Sequence, residues 1–219
     1  MSAEMKTGGP AATPGTEDAA TRHYAGGAVD DIMVVGVGGQ GVIVAAAVIA
    51  DTAMLHGGLQ VKLSETRGMS QRGGSVSSHI RIGEIVVAPS ISPGEVDYLL
   101  AFESAEGLRA APSVVPGGVA IVNTQQIVPP LAAQGDMSYP FDALERMGGA
   151  DRRVTVVDGN GIALEVGDLK VAGIVLVGAL STHLPFDVDT WQEALVRNVP
   201  PKWKDLNFAA FAAGREVGA

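Results

Sequence analysis

Apolar and polar positions along the chain alternate between strand-like and helix-like signals. Ile32 to Val35 is a short apolar run that ends in a glycine cluster, and Val42 to Leu55 continues as Ala-rich sequence that favours helix. His56-Gly57-Gly58 closes that helix as glycine caps do, and Leu59 to Leu63 supplies a second apolar strand. This order predicts a βαβ unit. Ser64 to Gly74 is polar, glycine-rich and too long for a tight turn, so it is expected as a functional loop at the carboxyl end of the second strand.

Ser75 to Ile82 alternates strictly, with Val76, Ser78, Ile80 and Ile82 on one face and Ser75, Ser77, His79 and Arg81 on the other. Gly83-Glu84 then predicts a turn into Ile85-Val86-Val87, which makes a β-hairpin. Val96 to Phe102, Gly118 to Val122 and Val154 to Val157 read as buried strands, and Ser104 to Ala110 as a short helix ended by Pro112 and Pro116. Gly159 to Val166, Val171 to His183, Val188 to Asn198 and Trp203 to Val217 read as helices. The predicted fold class is α/β: a mostly parallel Rossmann-like sheet flanked by helices, with an inserted β-hairpin and a helical C-terminal region. Its functional edge is expected at the carboxyl ends of the strands.

Composition sets the boundaries. Residues 30–219 are enough for a single α/β domain, and 47% hydrophobic residues with a mean hydropathy of +0.25 supply a core. Residues 1–29, rich in Gly, Ala, Pro and Thr without apolar period, are expected as a disordered N-terminal tail. They lack a basic start followed by an apolar run, so a cytoplasmic location is expected. Val171 to Leu180, the most apolar run, is about half the length that spans a bilayer and is expected as a core helix.

The 219 residues contain no cysteine, which excludes disulfides, a thiol nucleophile and thiolate ligation of zinc or iron-sulfur clusters by this chain. A redox centre would belong to a partner. The formal net charge of −9 argues against a nucleic-acid partner. His23, His56, His79 and His183 show no metal-ligand spacing, and His79 is expected to be structural.

Gly36, Gly38 and Gly41 satisfy G-x-G-x-x-G directly after a strand and at the opening of a helix, where backbone N–H groups meet an anion. Glu65 lies just beyond the second strand as a weak counterpart to the acidic residue of dinucleotide enzymes. Gly39 followed by Gln40 is unusual for a nicotinamide loop, and the Gln40 amide suits either a neighbouring loop or a polar ligand. In the segment from Ser64 to Val76, Arg67 and Arg72 stand among glycines and hydroxyl residues, a composition suited to carboxylate or phosphate recognition. The alternative is that Arg72 pairs with Glu65 or with a partner's acid. Ser64, Ser70 and Ser75 have no evident adjacent base in sequence, and no catalytic residue is assigned.

The Gly38-Gly39-Gln40-Gly41-Val42 loop, followed by Ser64-Glu65, Gly68-Met69 and Gln71-Arg72-Gly73-Gly74-Ser75-Val76, resembles the γ-type domain of 2-oxoacid:ferredoxin oxidoreductases, most nearly their indolepyruvate-oxidising branch. The resemblance runs through Ser78-His79-Ile80-Arg81 to Asn207-Phe208-Ala209-Ala210-Phe211 and Gly214. Many relatives carry histidine at the position of Arg67 and alanine at that of Ser70, so no histidine-dependent proton step is carried over.

The resemblance implies a small subunit that completes the active site of a larger partner carrying thiamine diphosphate and iron-sulfur clusters. The hetero-oligomer would decarboxylate a 2-oxoacid, reduce ferredoxin through the partner and transfer the acyl group to coenzyme A. Gly36, Gly38, Gly39, Gln40 and Gly41, with Arg67, Arg72, Gly73 and Gly74, are the residues expected near a cofactor. The two arginines would face the substrate carboxylate, the coenzyme or the partner's cofactor pocket. Trp203, Leu206, Phe208 and Phe211 are expected as either core or partner surface. The competing readings are an independent NAD-binding oxidoreductase and a non-catalytic scaffold subunit.

Overall fold

The structure, a computed structural model, describes residues 19–67, 74–129, 132, 138–148 and 151–218. A six-stranded sheet carries β1 (Val29–Val37), β2 (Gln60–Arg67), β3 (Ser75–Gly83), β4 (Val96–Ala101), β5 (Val114–Asn123) and β6 (Arg153–Val157) in the order β2-β3-β1-β4-β5-β6. The pairs β1/β4, β4/β5 and β5/β6 are parallel, and β3 runs antiparallel to both its neighbours.

Alternation along β1 sorts the core into two layers. Ile32 and Val34 face a cluster built with α2 (Val42–His56), α6 (Ala172–Ser181), α7 (Val188–Asn198) and α8 (Lys204–Gly218), while Met33 and Val35 face α3 (Ser104–Ala110) and α4 (Ala143–Met147). α6 is buried from Gly173 to Ser181, as its unbroken apolar run requires. It crosses α8 through glycines: a Cβ on Gly178 would strike the Phe211 carbonyl, and one on Gly214 the Val175 carbonyl. α5 (Gly159–Val166) caps β6, its first turn closed by Asp158 accepting from Gly161 N at 2.9 Å.

Several expectations change. The antiparallel insertion is present, but Ser75–Gly83 does not pair with Ile85–Val87. Both edges of β3 are already occupied, by β2 and β1, so no ladder is left for 85–87. Val86 instead tucks in, its N–H donating to Gln60 Oε1 at 3.0 Å, while Ile85 and Val87 are exposed. β2 runs parallel to β1 as a βαβ unit requires, yet β3 lies between them and leaves β2 at the edge. Ser64 to Arg67, expected as loop, pair with Val76 to His79 and belong to β2.

Order also begins earlier than residue 30. α1 (Ala19–Tyr24) docks under the sheet with Tyr24 fully buried, stacked on Phe186 at 6.2 Å, its hydroxyl donating to Asp30 Oδ2 at 2.6 Å. That bond, with His23 Nε2 at 3.1 Å, satisfies a buried carboxylate, and Asp31 is satisfied by Arg81 directly opposite it in register, at 2.6 and 2.8 Å. Two paired aspartates thus let β1 start at Val29. Residues 1–18 of the expected tail lie outside the described residues.

Candidate functional site

The carboxyl ends of β1, β4 and β5 meet the start of α2 at the first glycine loop. Gly36 is the last point of close approach there: a Cβ would sit 2.8 Å from Gln40 Oε1 and from Phe102 Cβ, so this glycine serves packing. Gly39 and Gly41 adopt φ of +104° and +91° with open space where a Cβ would project, and Gly41 caps α2. Side-chain-free backbone at the positive end of a 15-residue helix is suited to an anion.

Gln40 answers the question its sequence position raised. Its Oε1 accepts from Val37 N at 2.6 Å, and its Nε2 donates to Phe102 O at 3.0 Å and Gln125 Oε1 at 2.8 Å. The amide therefore fastens the loop to the ends of β4 and β5. Asn123 extends the same network, donating to Phe102 O and Asn160 Oδ1 and accepting from Gly159 N at 3.1 Å. Above this floor opens a cleft of about 340 Å³ lined by Gly39, Gln40, Gly41, Asn123, Gln125 and Lys170, among others.

The second loop joins the first through the β1/β3 ladder. Beyond the last pair, Val37 with Ser75, Gly38 N donates to Gly74 O at 2.8 Å. Gly38 and Gly74 thereby hold the two loops together. Arg67 ends β2 opposite Val76, its side chain outside the described set, and Arg72 and Gly73 also lie outside the described residues.

Two carboxylates that sequence reasoning missed support this edge from α3. Glu103 caps the helix, accepting from Glu106 N at 2.8 Å, and its other oxygen accepts from Ile127 N at 3.1 Å and from the Tyr139 hydroxyl. Burial, then the bond to Glu103, pushes the Tyr139 phenol up to about 12. Glu106 accepts from Ser75 Oγ at 2.7 Å and from Arg109 at 2.6 Å. The available signal was the Glu-x-x-Glu spacing at a strand-to-helix junction, which has the form of a capping box.

His79 lies away from this edge. Its Nδ1 accepts from Ile91 N at 3.2 Å, and burial lowers its pKa. Trp203 is half-buried at the approach to α8, Leu206 and Phe208 pack on the core, and Phe211 is within it. Among the described residues no group of three or more His, Asp or Glu side chains is placed to hold a metal ion, and no helix is long and apolar enough to cross a membrane.

A dinucleotide site of the nicotinamide kind needs the acidic residue on the strand beside β1. Glu65 instead pairs with Ser78 of β3, two strands and about 10 Å from β1, which argues against that reading.

A three-layer α/β domain whose first strand is flanked by one antiparallel and one parallel neighbour, with paired glycine loops at the carboxyl edge, defines a γ-type oxidoreductase domain. The chain belongs to the pyruvate ferredoxin/flavodoxin oxidoreductase family, whose model matches residues 31–217. It is 40% identical over 190 residues to the indolepyruvate oxidoreductase subunit IorB of Archaeoglobus fulgidus, covering 84% of this chain and 92% of that protein. The γ subunit of a keto/oxoacid ferredoxin oxidoreductase from Geobacter sulfurreducens superposes with a TM-score of 0.68 at 25% identity, covering 86% of this chain and 98% of that one. The 2-oxoglutarate:ferredoxin oxidoreductase of Magnetococcus marinus, solved with 2-oxoglutarate, coenzyme A and succinyl-CoA bound, shares the fold at TM-score 0.66 and 20% identity. That match covers 87% of this chain and 31% of the larger one.

Proposed function

We propose that this chain is the small subunit of a 2-oxoacid:ferredoxin oxidoreductase acting on indolepyruvate or another aryl pyruvate. It completes the active site of a larger subunit that carries thiamine diphosphate and iron-sulfur clusters. The overall reaction consumes a 2-oxoacid and coenzyme A, releases carbon dioxide and an acyl-CoA, and sends two electrons to ferredoxin. Thiamine diphosphate on the partner supplies the carbanion chemistry.

The observation that carries this reading is the paired glycine loop with its cleft, found at the carboxyl edge of a family fold. Gly39 and Gly41 offer backbone N–H groups to the coenzyme A phosphates, Gln40 fixes the loop that presents them, and Gly36 lets the helix approach. Arg67 and Arg72 are assigned to the substrate carboxylate, the coenzyme or the partner's cofactor pocket. A chain without cysteine leaves cluster ligation to the partner.

The test is co-expression with a thiamine-binding, cysteine-rich subunit, followed by an assay of oxoacid- and CoA-dependent ferredoxin reduction. Co-purification and activity of the pair, with a raised KM for coenzyme A in Gly39→Asp, are expected. Activity of this chain alone, or tight NADH binding without a partner, would overturn the proposal.

A further inference from the structure

β2 ends the sheet, with β3 on one side and, among the described residues, no strand on the other. It pairs with β3 in unbroken register, from Gln60 with Gly83 to Arg67 with Val76. In an antiparallel ladder every second residue turns its N–H and C=O away from the neighbour. β2 therefore holds out a row of donors and acceptors that no strand meets, and it contains neither a proline nor a bulge to blunt that edge.

The two faces of the strand differ. Gln60, Lys62, Ser64 and Thr66 stand on one, and Val61, Leu63 and Glu65 on the other. Val61 packs on the core, whereas Leu63 is 40% exposed. Lys62 is half-buried, makes no hydrogen bond or ion pair among the described residues, and lies directly opposite Arg81. Arg81 already has its acid, holding Asp31 by bonds of 2.6 and 2.8 Å. Lys62 is thus a cation set against a cation. The surface at the strand's start is apolar. Val86 N–H donates to Gln60 Oε1 at 3.0 Å, and this bond holds Ile85 and Val87 next to β2. They are 71% and 87% exposed, more than any other large hydrophobic side chain among the described residues.

We infer that the outer edge of β2 receives an extended segment of the larger subunit as a seventh strand, one that alternates acidic and apolar residues. The inference rests on the reading that this chain is one subunit of a two-subunit enzyme. An acid on the segment meets Lys62, the next, apolar residue covers Leu63, and the two main chains exchange the hydrogen bonds that β2 holds out.

A second copy of this chain does not fit the same edge. In a twofold dimer the two β2 strands run antiparallel, and residues opposite or diagonal to one another share a face. Lys62 would then meet only Gln60, Lys62, Ser64 or Thr66 of the copy, none of them an acid. Lys62 closes the edge to copies of this chain and opens it to an acidic strand.

The test compares the free chain with the co-purified two-subunit enzyme by hydrogen exchange, and follows assembly of Lys62→Glu. Outward-facing amides of residues 60–67 are expected to exchange at least about tenfold more slowly in the complex. Lys62→Glu is expected to raise the Kd of the complex about tenfold, read by sedimentation at low salt, with the difference shrinking as salt rises. The same substitution puts an acid opposite Arg81, so the urea midpoint of the free chain is expected to hold or rise. Weaker assembly by a chain no less stable separates docking from misfolding.

A complex that forms with these amides as open as in the free chain would overturn the docking edge and leave the subunit reading intact. Unimpaired assembly of Lys62→Glu would do the same. Protection of β2 in the free chain that grows with its own concentration would give the edge to a second copy and overturn the inference. Failure to assemble with any thiamine-binding larger subunit would overturn both readings.

Discussion

Ser75 donates to the Glu106 carboxylate at 2.7 Å, linking the first residue of β3 to the first turn of α3. Since Gly74 accepts from Gly38, this one bond steadies both glycine loops from a helix on the opposite side of the sheet. Ser75→Ala is expected to cost about 1 kcal/mol in urea unfolding, and Glu106→Ala more, because it also leaves Arg109 without its acceptor. A double-mutant cycle between the two positions would show coupling well above zero. Additive effects would mean that the bond does not hold the loop.

Gln40→Glu is expected to be worse than Gln40→Ala. The glutamate places an oxygen where Nε2 now donates to Phe102 O and Gln125 Oε1, setting acceptor against acceptor in a half-buried site. In the alanine variant, Phe102 O keeps the bond from Asn123 Nδ2. Destabilisation on the order of 2 kcal/mol for the glutamate, followed by thermal and urea unfolding, checks this.

Acid should weaken the fold through its imidazoles. Burial holds the pKa values of His79 and His183 below that of a free imidazole, with Arg153 adding to the effect at His183. The unfolded chain therefore binds more protons than the folded one as pH falls through the free-imidazole range, and stability that is fully present above about 6.5 is lost below it. Protonation at His79 Nδ1 also ends its acceptance from Ile91 N. The raised carboxyl pKa of Asp97, caused chiefly by burial, acts in the opposite sense and in a more acidic range. Urea midpoints should fall between about pH 7.5 and pH 5.5, and His79→Asn, which retains an acceptor, should flatten the slope.

Gly214→Ala is expected to be more damaging than any loop substitution. Its Cβ would enter the Val175 carbonyl at the α6/α8 crossing, and backbone cannot rotate aside as a side chain can. A cost above about 3 kcal/mol, or failure to accumulate folded protein, is the expected outcome. Circular dichroism and urea unfolding of the purified chain check it.

The helices were readable where an apolar run sits between a capping residue and a breaker, as in Val188–Asn198 behind Asp187 and Ser104–Ala110 ahead of Pro112. β3 was readable too, because alternate burial leaves a period of two. Its partner was not, since alternation along one strand says nothing about which neighbour fills each edge. The docking of α1 depends on Tyr24 reaching Asp30, and the start of β1 on Asp31 reaching Arg81. Neither pairing leaves a mark on local hydrophobicity. At the site, the glycines announced themselves, whereas Gln40, Glu103 and Glu106 acquire their roles from partners 24 to 85 positions away.

The antiparallel β3 has a consequence for how this architecture diversifies. A parallel crossover returning to the same edge would need a helix between the strands, and lengthening it would disturb a packed layer. Here the chain leaves β2 and re-enters β3 at one edge of the sheet, and both strands are held by ladders below the junction. A change in chain length at that junction would therefore leave both ladders and every helix in place.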